Sequence, residues 1–197
     1  MREALRARAA AELHPLIRQR WSPAAFGPRP VEPERLRLLF EAARWAPSAF
    51  NEQPWRFLVA TRNEPDEIER LYGYLTDGNE WARGAPVLVA SAFATRYSRN
   101  RRVNRLAMRD LGAAEENLFL QACALGLVMR QIAGFDHERL RRELLPEGFE
   151  PGTITALGYP ASAPAPAASR SGRRPRKRER NPLSEFVYTL RWGEPQT

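Results

Sequence analysis

The run "APVLVASAFA", residues 85–94, is continuously apolar and carries β-branched valines. A short apolar run without polar alternation reads as a buried strand. Upstream, "WRFLVAT" (55–61) reads as a second strand, with a helix, "EPDEIERLYGYL" (64–75), between the two. Before them, "EPERLRLLFEAARWA" (32–46) places Leu36, Leu39, Phe40 and Ala43 at i, i+3, i+4 and i+7, with Pro33 and Glu34 at its start. Residues 3–20 read as a further helix, broken at Pro15. Downstream, "RDLGAAEENLFLQACALGLVMRQIAG" (109–134) reads as one long core helix, nearly all apolar in its second half. A short helix, "DHERLRREL" (136–144), and a strand ending in a turn, "GTITALGYP" (152–160), follow. "ASAPAPAASRSG" (161–172) is a Pro/Ala/Ser linker, and "PLSEFVYTLRW" (182–192) closes the chain as a short helix or strand. Helices alternating with few strands imply a layered α+β or α/β domain around a small sheet.

The chain has 197 residues, enough for one domain, and a formal net charge of +8, much of it in "RSGRRPRKRER" (170–180). A single cysteine, Cys123, excludes an intramolecular disulfide and suits a reducing compartment. The charged N-terminus has no apolar signal core and no run is long enough to span a bilayer, so a cytoplasmic protein without a membrane partner is expected. His14 and His137 sit in charged helical segments and read as solvated; Cys123, among alanines and leucines, reads as a buried, inert thiol. There is no metal-spaced Cys/His set, no dinucleotide or Walker glycine loop and no nucleophile elbow. Any redox or transfer chemistry must therefore come from a cofactor.

Three segments are more polar than their positions require. "RQRWS" (18–22) offers forked guanidinium donors and a hydroxyl to a phosphate, or else arginines that answer a helix C-terminus. "APSAFNEQPW" (46–55) presents Asn51 and Gln53, each donor and acceptor, to a ligand, or else closes its own turn. "RRPRKRER" (173–180) is a phosphate or nucleic-acid contact, or else a solvated basic run.

Taken in order, these segments resemble the flavin-dependent nitroreductase family. The similar stretches are residues 17–61, "GNEWARGAPVLVASA" (78–92), the run 104–136, "GYP" (158–160) and "RERNPLSEFV" (178–187). The resemblance implies an α+β three-layer sandwich, a small mixed sheet of four or five strands between helices, in an intertwined homodimer. It implies one domain over residues 1–197, a loop at 161–172, and a segment at 183–192 that crosses to the partner's sheet. It also implies FMN at the subunit interface, with NADH or NADPH as electron donor. Arg20, Trp21 and Ser22 would hold the FMN phosphate and the near ring edge, joined at the phosphate by Arg178 and Arg180. Asn79 would face the ribityl chain or ring. Pro47, Ser48, Ala49 and Asn51 would line the flavin from the other subunit. Gln131, Ile132, Ala133 and Gly134 would pass along the ring, with an N–H near Ala133 or Gly134 donating to flavin N5.

The implied activity is ping-pong hydride transfer through N5 to nitroaromatics, quinones or similar electron-poor small molecules, with no catalytic side chain. Alternatives are the same fold acting on a small enal or semialdehyde, or a flavin- or nucleic-acid-associated binding protein using the 170–180 segment. A nucleic-acid partner is not expected, because a phosphate role absorbs the charge. One departure stands out: the family's second basic residue after the serine is replaced by Ala24, with Arg18 or Arg29 as possible substitutes. The arginines of "TRYSRNRRVNR" (95–105) exceed what a flavin site needs; they would face an acidic substrate or the 2′-phosphate of NADPH, or form a solvated loop.

Overall fold

Proline opens three of the five helices found among residues 13–162 and 180–196, which are the residues that the computed structural model describes. Its fixed φ and missing N–H suit the first helical position, where no intrahelical bond is lost. The helices are α1 (Pro15–Gln19), α2 (Pro33–Arg44), α3 (Pro65–Tyr72), α4 (Ala107–Ala124) and α5 (His137–Leu144). The strands are β1 (Trp55–Thr61), β2 (Val87–Ala94), β3 (Val128–Ile132) and β4 (Phe149–Gly158). Pro15 thus starts α1 instead of breaking a longer helix, and residues 3–12 of that expectation lie outside the described residues.

The helix expected over 109–134 is two elements. Gly126 has a φ of +72°, which disfavours a side chain by about 1–2 kcal/mol. There the Leu127 N–H returns to the Ala122 carbonyl at 2.8 Å, closing α4 with a glycine cap. The apolar residues beyond it become β3. Hydrophobicity alone cannot separate an apolar helix end from a short buried strand.

The sheet order is β1-β2-β4-β3, so the expected buried strand β2 is central. Every pairing among these four strands is antiparallel, which corrects the expectation of a mixed sheet. A parallel pair would need a further strand. The C-terminal residues expected as helix or strand form a 3₁₀ turn at Leu183–Glu185 and one bridge, Tyr188 to Pro195. Side chains alternate across the sheet. Val87, Val89, Met129 and Leu157 pack with Leu39 and Ala43 of α2 and Leu111, Ala114 and Leu118 of α4. Leu88, Ala90, Val128, Ile154 and Ala156 pack with Ile68 and Leu71 of α3 and Leu140 of α5. This is the three-layer α+β sandwich.

By their contacts, residues 13–19 and 180–196 belong to one compact unit and residues 20–162 to another. The Pro/Ala/Ser stretch from residue 163 to 172 lies outside the described residues. Among the described residues no helix is long and apolar enough to cross a membrane.

Candidate functional site

Between α2 and β1 the backbone is strained. Phe50, Asn51 and Gln53 have φ of 55°, 55° and 48°. Non-glycine residues rarely hold this conformation, and each costs about 1–3 kcal/mol unless its surroundings impose it. Part of the local polar excess closes the turn. Ser48 Oγ accepts from the Gln53 N–H at 3.0 Å, the Asn51 N–H reaches the Ser48 carbonyl at 3.0 Å, and the Gln53 amide donates to Asn51 Oδ1 at 3.2 Å. The remaining hold is distant in sequence. Asp110 of α4, wholly buried, accepts from the Ala49 N–H at 2.9 Å. Its other oxygen takes two bonds from Arg109, at 3.0 and 2.6 Å. Sequence reading missed Asp110. The signal was there: Ala107, Asp110, Leu111, Ala114 and Leu118 form one buried stripe, and the aspartate is its only charge. Pro47 and Asn51 are left exposed on the outer side of this wall.

A second segment follows β3. The Asn79 amide donates to the Thr76 and Gly134 carbonyls, both at 3.1 Å, and the Thr76 N–H also reaches Gly134 at 3.0 Å. A Cβ on Gly134 would stand 2.7 Å from Thr76 Oγ1 and 2.9 Å from Asn79 Nδ2, so the close approach requires glycine. Asn79 and Gly134 are thus brought together, and the Asn79 amide fastens the loop. The Ala133 and Gly134 N–H groups donate to no group among the described residues. Ile132 is buried, so its side chain belongs to the core and its backbone alone passes along the site. Gln131 points to the α4 face, where its amide donates to Glu115 at 2.8 Å. Glu115 also accepts from Ser91 at 2.7 Å and Thr153 at 2.8 Å, beside the bulge where β2 and β4 change register. Sequence reading did not find this cluster, which forms only when the sheet pairs.

The third segment is Arg20–Ser22. The Arg20 guanidinium lies 5.9 Å from the Phe119 ring and has no carboxylate partner among the described residues. Trp21 packs half-buried against the core and Ser22 is exposed. Arg130 of β3, not singled out from sequence, donates to the Pro23 carbonyl at 3.2 Å and stacks 4.0 Å over Trp81. Burial pushes the Arg130 pKa down. Ala24 is exposed. Arg29 is committed elsewhere: it pairs with Glu32 and lies 4.2 Å over Tyr159. The Glu32 carboxyl is lowered to about 2, chiefly by the Tyr159 hydroxyl donating at 2.7 Å. Arg180 is exposed and belongs to the other compact unit; Arg178 lies outside the described residues.

Three sequence-distant segments therefore attach to α4: Ala49 at Asp110, Gln131 at Glu115 and Arg20 at Phe119. These attachment points span about 14 Å along the helix at 1.5 Å per residue. Among the described residues no cluster of His, Cys, Asp and Glu could hold a metal. His137 is exposed and stacks on Phe135 at 3.8 Å; Cys123 is half-buried, less enclosed than expected. Among the described residues the arrangement offers open backbone donors and an arginine without a carboxylate partner, but no acid–base pair.

The model of the nitroreductase family matches residues 17–80. An Archaeoglobus fulgidus protein named "Putative NADH dehydrogenase/NAD(P)H nitroreductase" is 31% identical over 152 residues, 74% of this chain and 83% of that relative. A crystal structure of an oxidoreductase containing FMN aligns with a TM-score of 0.84 and 30% identity, covering 95% of this chain and 96% of the other. A nitroreductase of Desulfovibrio desulfuricans, described as putative and solved in complex with FMN, aligns with a TM-score of 0.69 and 29% identity over 93% and 99% of the two chains. The chain belongs to the nitroreductase family.

Proposed function

We propose that this chain takes electrons from NADH or NADPH and passes them to nitroaromatics, quinones or similar electron-poor acceptors. It is an FMN-dependent oxidoreductase of the nitroreductase family. The observation that carries the reading is the pair of unpartnered N–H groups at Ala133 and Gly134, held in place by Asn79. These two adjacent backbone donors, one exposed and one half-buried, are open to an acceptor on a ligand. The unpaired Arg20 guanidinium likewise calls for an anion. Both fit an anionic, acceptor-rich cofactor. Bound FMN supplies the two-electron chemistry that no side chain here offers.

The chain's own residues bind and orient. Arg20 and Ser22 would hold the phosphate. The Ala133 and Gly134 N–H groups face the redox-active ring edge, and Gln131 is oriented by Glu115. Pro47, Ser48, Ala49 and Asn51 present a wall to the cofactor of the second protomer in a homodimer, with residues 183–192 crossing between subunits. One open face receives donor and acceptor in turn, a ping-pong scheme in the cytoplasm. The test is reconstitution of purified protein with FMN, followed by NADH or NADPH bleaching with nitroaromatic, quinone and enal acceptors. Bound flavin and steady turnover are expected. A protein that takes up no flavin would overturn the reading.

A further inference from the structure

Residues 95–104 form a hairpin that the redox site alone does not explain. The Asn104 N–H reaches the Thr95 carbonyl at 2.8 Å, Tyr97 N–H reaches Arg102 at 2.9 Å, and Arg101 N–H returns to Tyr97 at 2.9 Å. Arg101 takes a φ of +61° at the tip, rare for a long side chain. Arg96, Arg99, Arg101, Arg102 and Arg105 are exposed, and no acidic residue lies between Phe93 and Arg109. Among the described residues none of these five forms an ion pair. Arg96 donates to the Arg101 carbonyl at 3.0 Å, which closes the hairpin. Five arginines on one short hairpin make a positive field, and the Glu52 carboxylate beside it accepts from the Ser98 N–H and forms no ion pair with them among the described residues.

The hairpin is docked on the strained wall. The Ser98 N–H donates to the Glu52 carboxylate. Phe50 meets Tyr97 edge-on at 5.8 Å, and Arg99 lies 3.9 Å over the Phe50 ring. Phe50 is 69% exposed, an apolar face beside the cations. The wall's conformation, fixed by Asp110, therefore also places an arginine cluster at the edge of the site.

We propose that this hairpin binds the phosphate monoester that distinguishes NADPH from NADH, and so selects the phosphorylated donor. The inference rests on the NAD(P)H reading above. A phosphate monoester carries about −1.5 to −2 charges near pH 7 and accepts from several guanidinium forks at once. Phe50 supplies a flat surface for the adenine beside it. An acidic acceptor would use the same arginines, so the test separates the two sources.

Calorimetric titration of the FMN-loaded protein would compare adenosine 2′,5′-bisphosphate with AMP, for the parent and for Arg101→Gln/Arg102→Gln. The parent is expected to bind the bisphosphate about tenfold or more tighter, with the ratio falling towards one in the variant and in about 0.5 M salt. The NADPH-to-NADH ratio of kcat/KM should fall by a similar factor. A ratio near one in the parent, or an unchanged ratio in the variant, overturns the proposal. So does a variant that discriminates less between 4-nitrobenzoate and nitrobenzene while keeping its donor ratio, which would assign the arginines to the acceptor. A parent that binds the bisphosphate selectively yet oxidises neither nicotinamide would sink the oxidoreductase reading while supporting the anion site.

Discussion

Replacing Asp110 by alanine removes the acceptor that ties Ala49 to α4. The bond is 2.9 Å long and its acceptor carboxylate is wholly buried. A hydrogen bond to a charged group contributes about 1.5–3 kcal/mol, and leaving the Ala49 N–H without a partner adds to the loss. The Arg109 pair adds little, about 0–1 kcal/mol, because Arg109 is 64% exposed and screened. Relaxation of the strained backbone at Phe50, Asn51 and Gln53 offsets part of the loss. The net expectation is about 2–3 kcal/mol of stability, or a Tm lower by about 4–12 °C for a chain of this size. Urea unfolding of the FMN-free protein measures that term. FMN fluorescence titration measures the second, and size-exclusion chromatography checks that the oligomeric state matches that of the parent. With the wall no longer held, FMN affinity should drop about tenfold or more, the equivalent of about 1.4 kcal/mol of lost ordering. Asp110→Asn should recover part of both losses, because one amide oxygen can still accept. An Asp110→Ala protein that loses stability but binds FMN within twofold of the parent would refute the reasoning. The aspartate would then hold a turn that the cofactor does not touch.

Three further expectations have separate readouts. Gly134→Ala forces a Cβ against Thr76 and Asn79; overpacking of this kind costs about 1–3 kcal/mol, and FMN retention should fall with stability in parallel thermal and fluorescence assays. Glu32 has its folded pKa depressed from the ordinary 4.5 to about 2, so its contribution is present above pH 4.5 and is lost as pH falls towards 2. Urea unfolding across that window should show a shallower acid limb for Glu32→Gln than for the parent. Ala24→Arg places a cation where the family pattern has one, and a redox titration should show a raised flavin midpoint potential, whereas no shift or a fall would count against that placement.

Local pattern was enough for most of the elements. The i, i+3, i+4, i+7 spacing marked α2, proline and acidic first turns marked helix starts, and an unbroken apolar run marked β2 as buried. These signals survive because periodicity and capping act within a few residues. The end of α4 was less legible, since an apolar helix terminus and a buried strand share a composition, and the left-handed Gly126 separates them. For the site, the resemblance pointed to segments that the fold attaches to α4 or fastens beside β3, whereas Asp110 and Glu115, which hold two of them, carry no local signal of those contacts.

What the sequence by itself determined was most of the helices and strands, though not β3, together with the excess of polar groups at 46–55 and the arginine run at 95–105. Tertiary structure alone decided what holds them. Ala49 and Asp110 are 61 residues apart, and Gln131 and Glu115 are 16 apart. Their pairing exists only once α4 packs on the sheet, because a buried carboxylate must find donors wherever packing has placed them. That same packing turns a polar stretch into a strained wall, and sets an arginine-rich hairpin beside it.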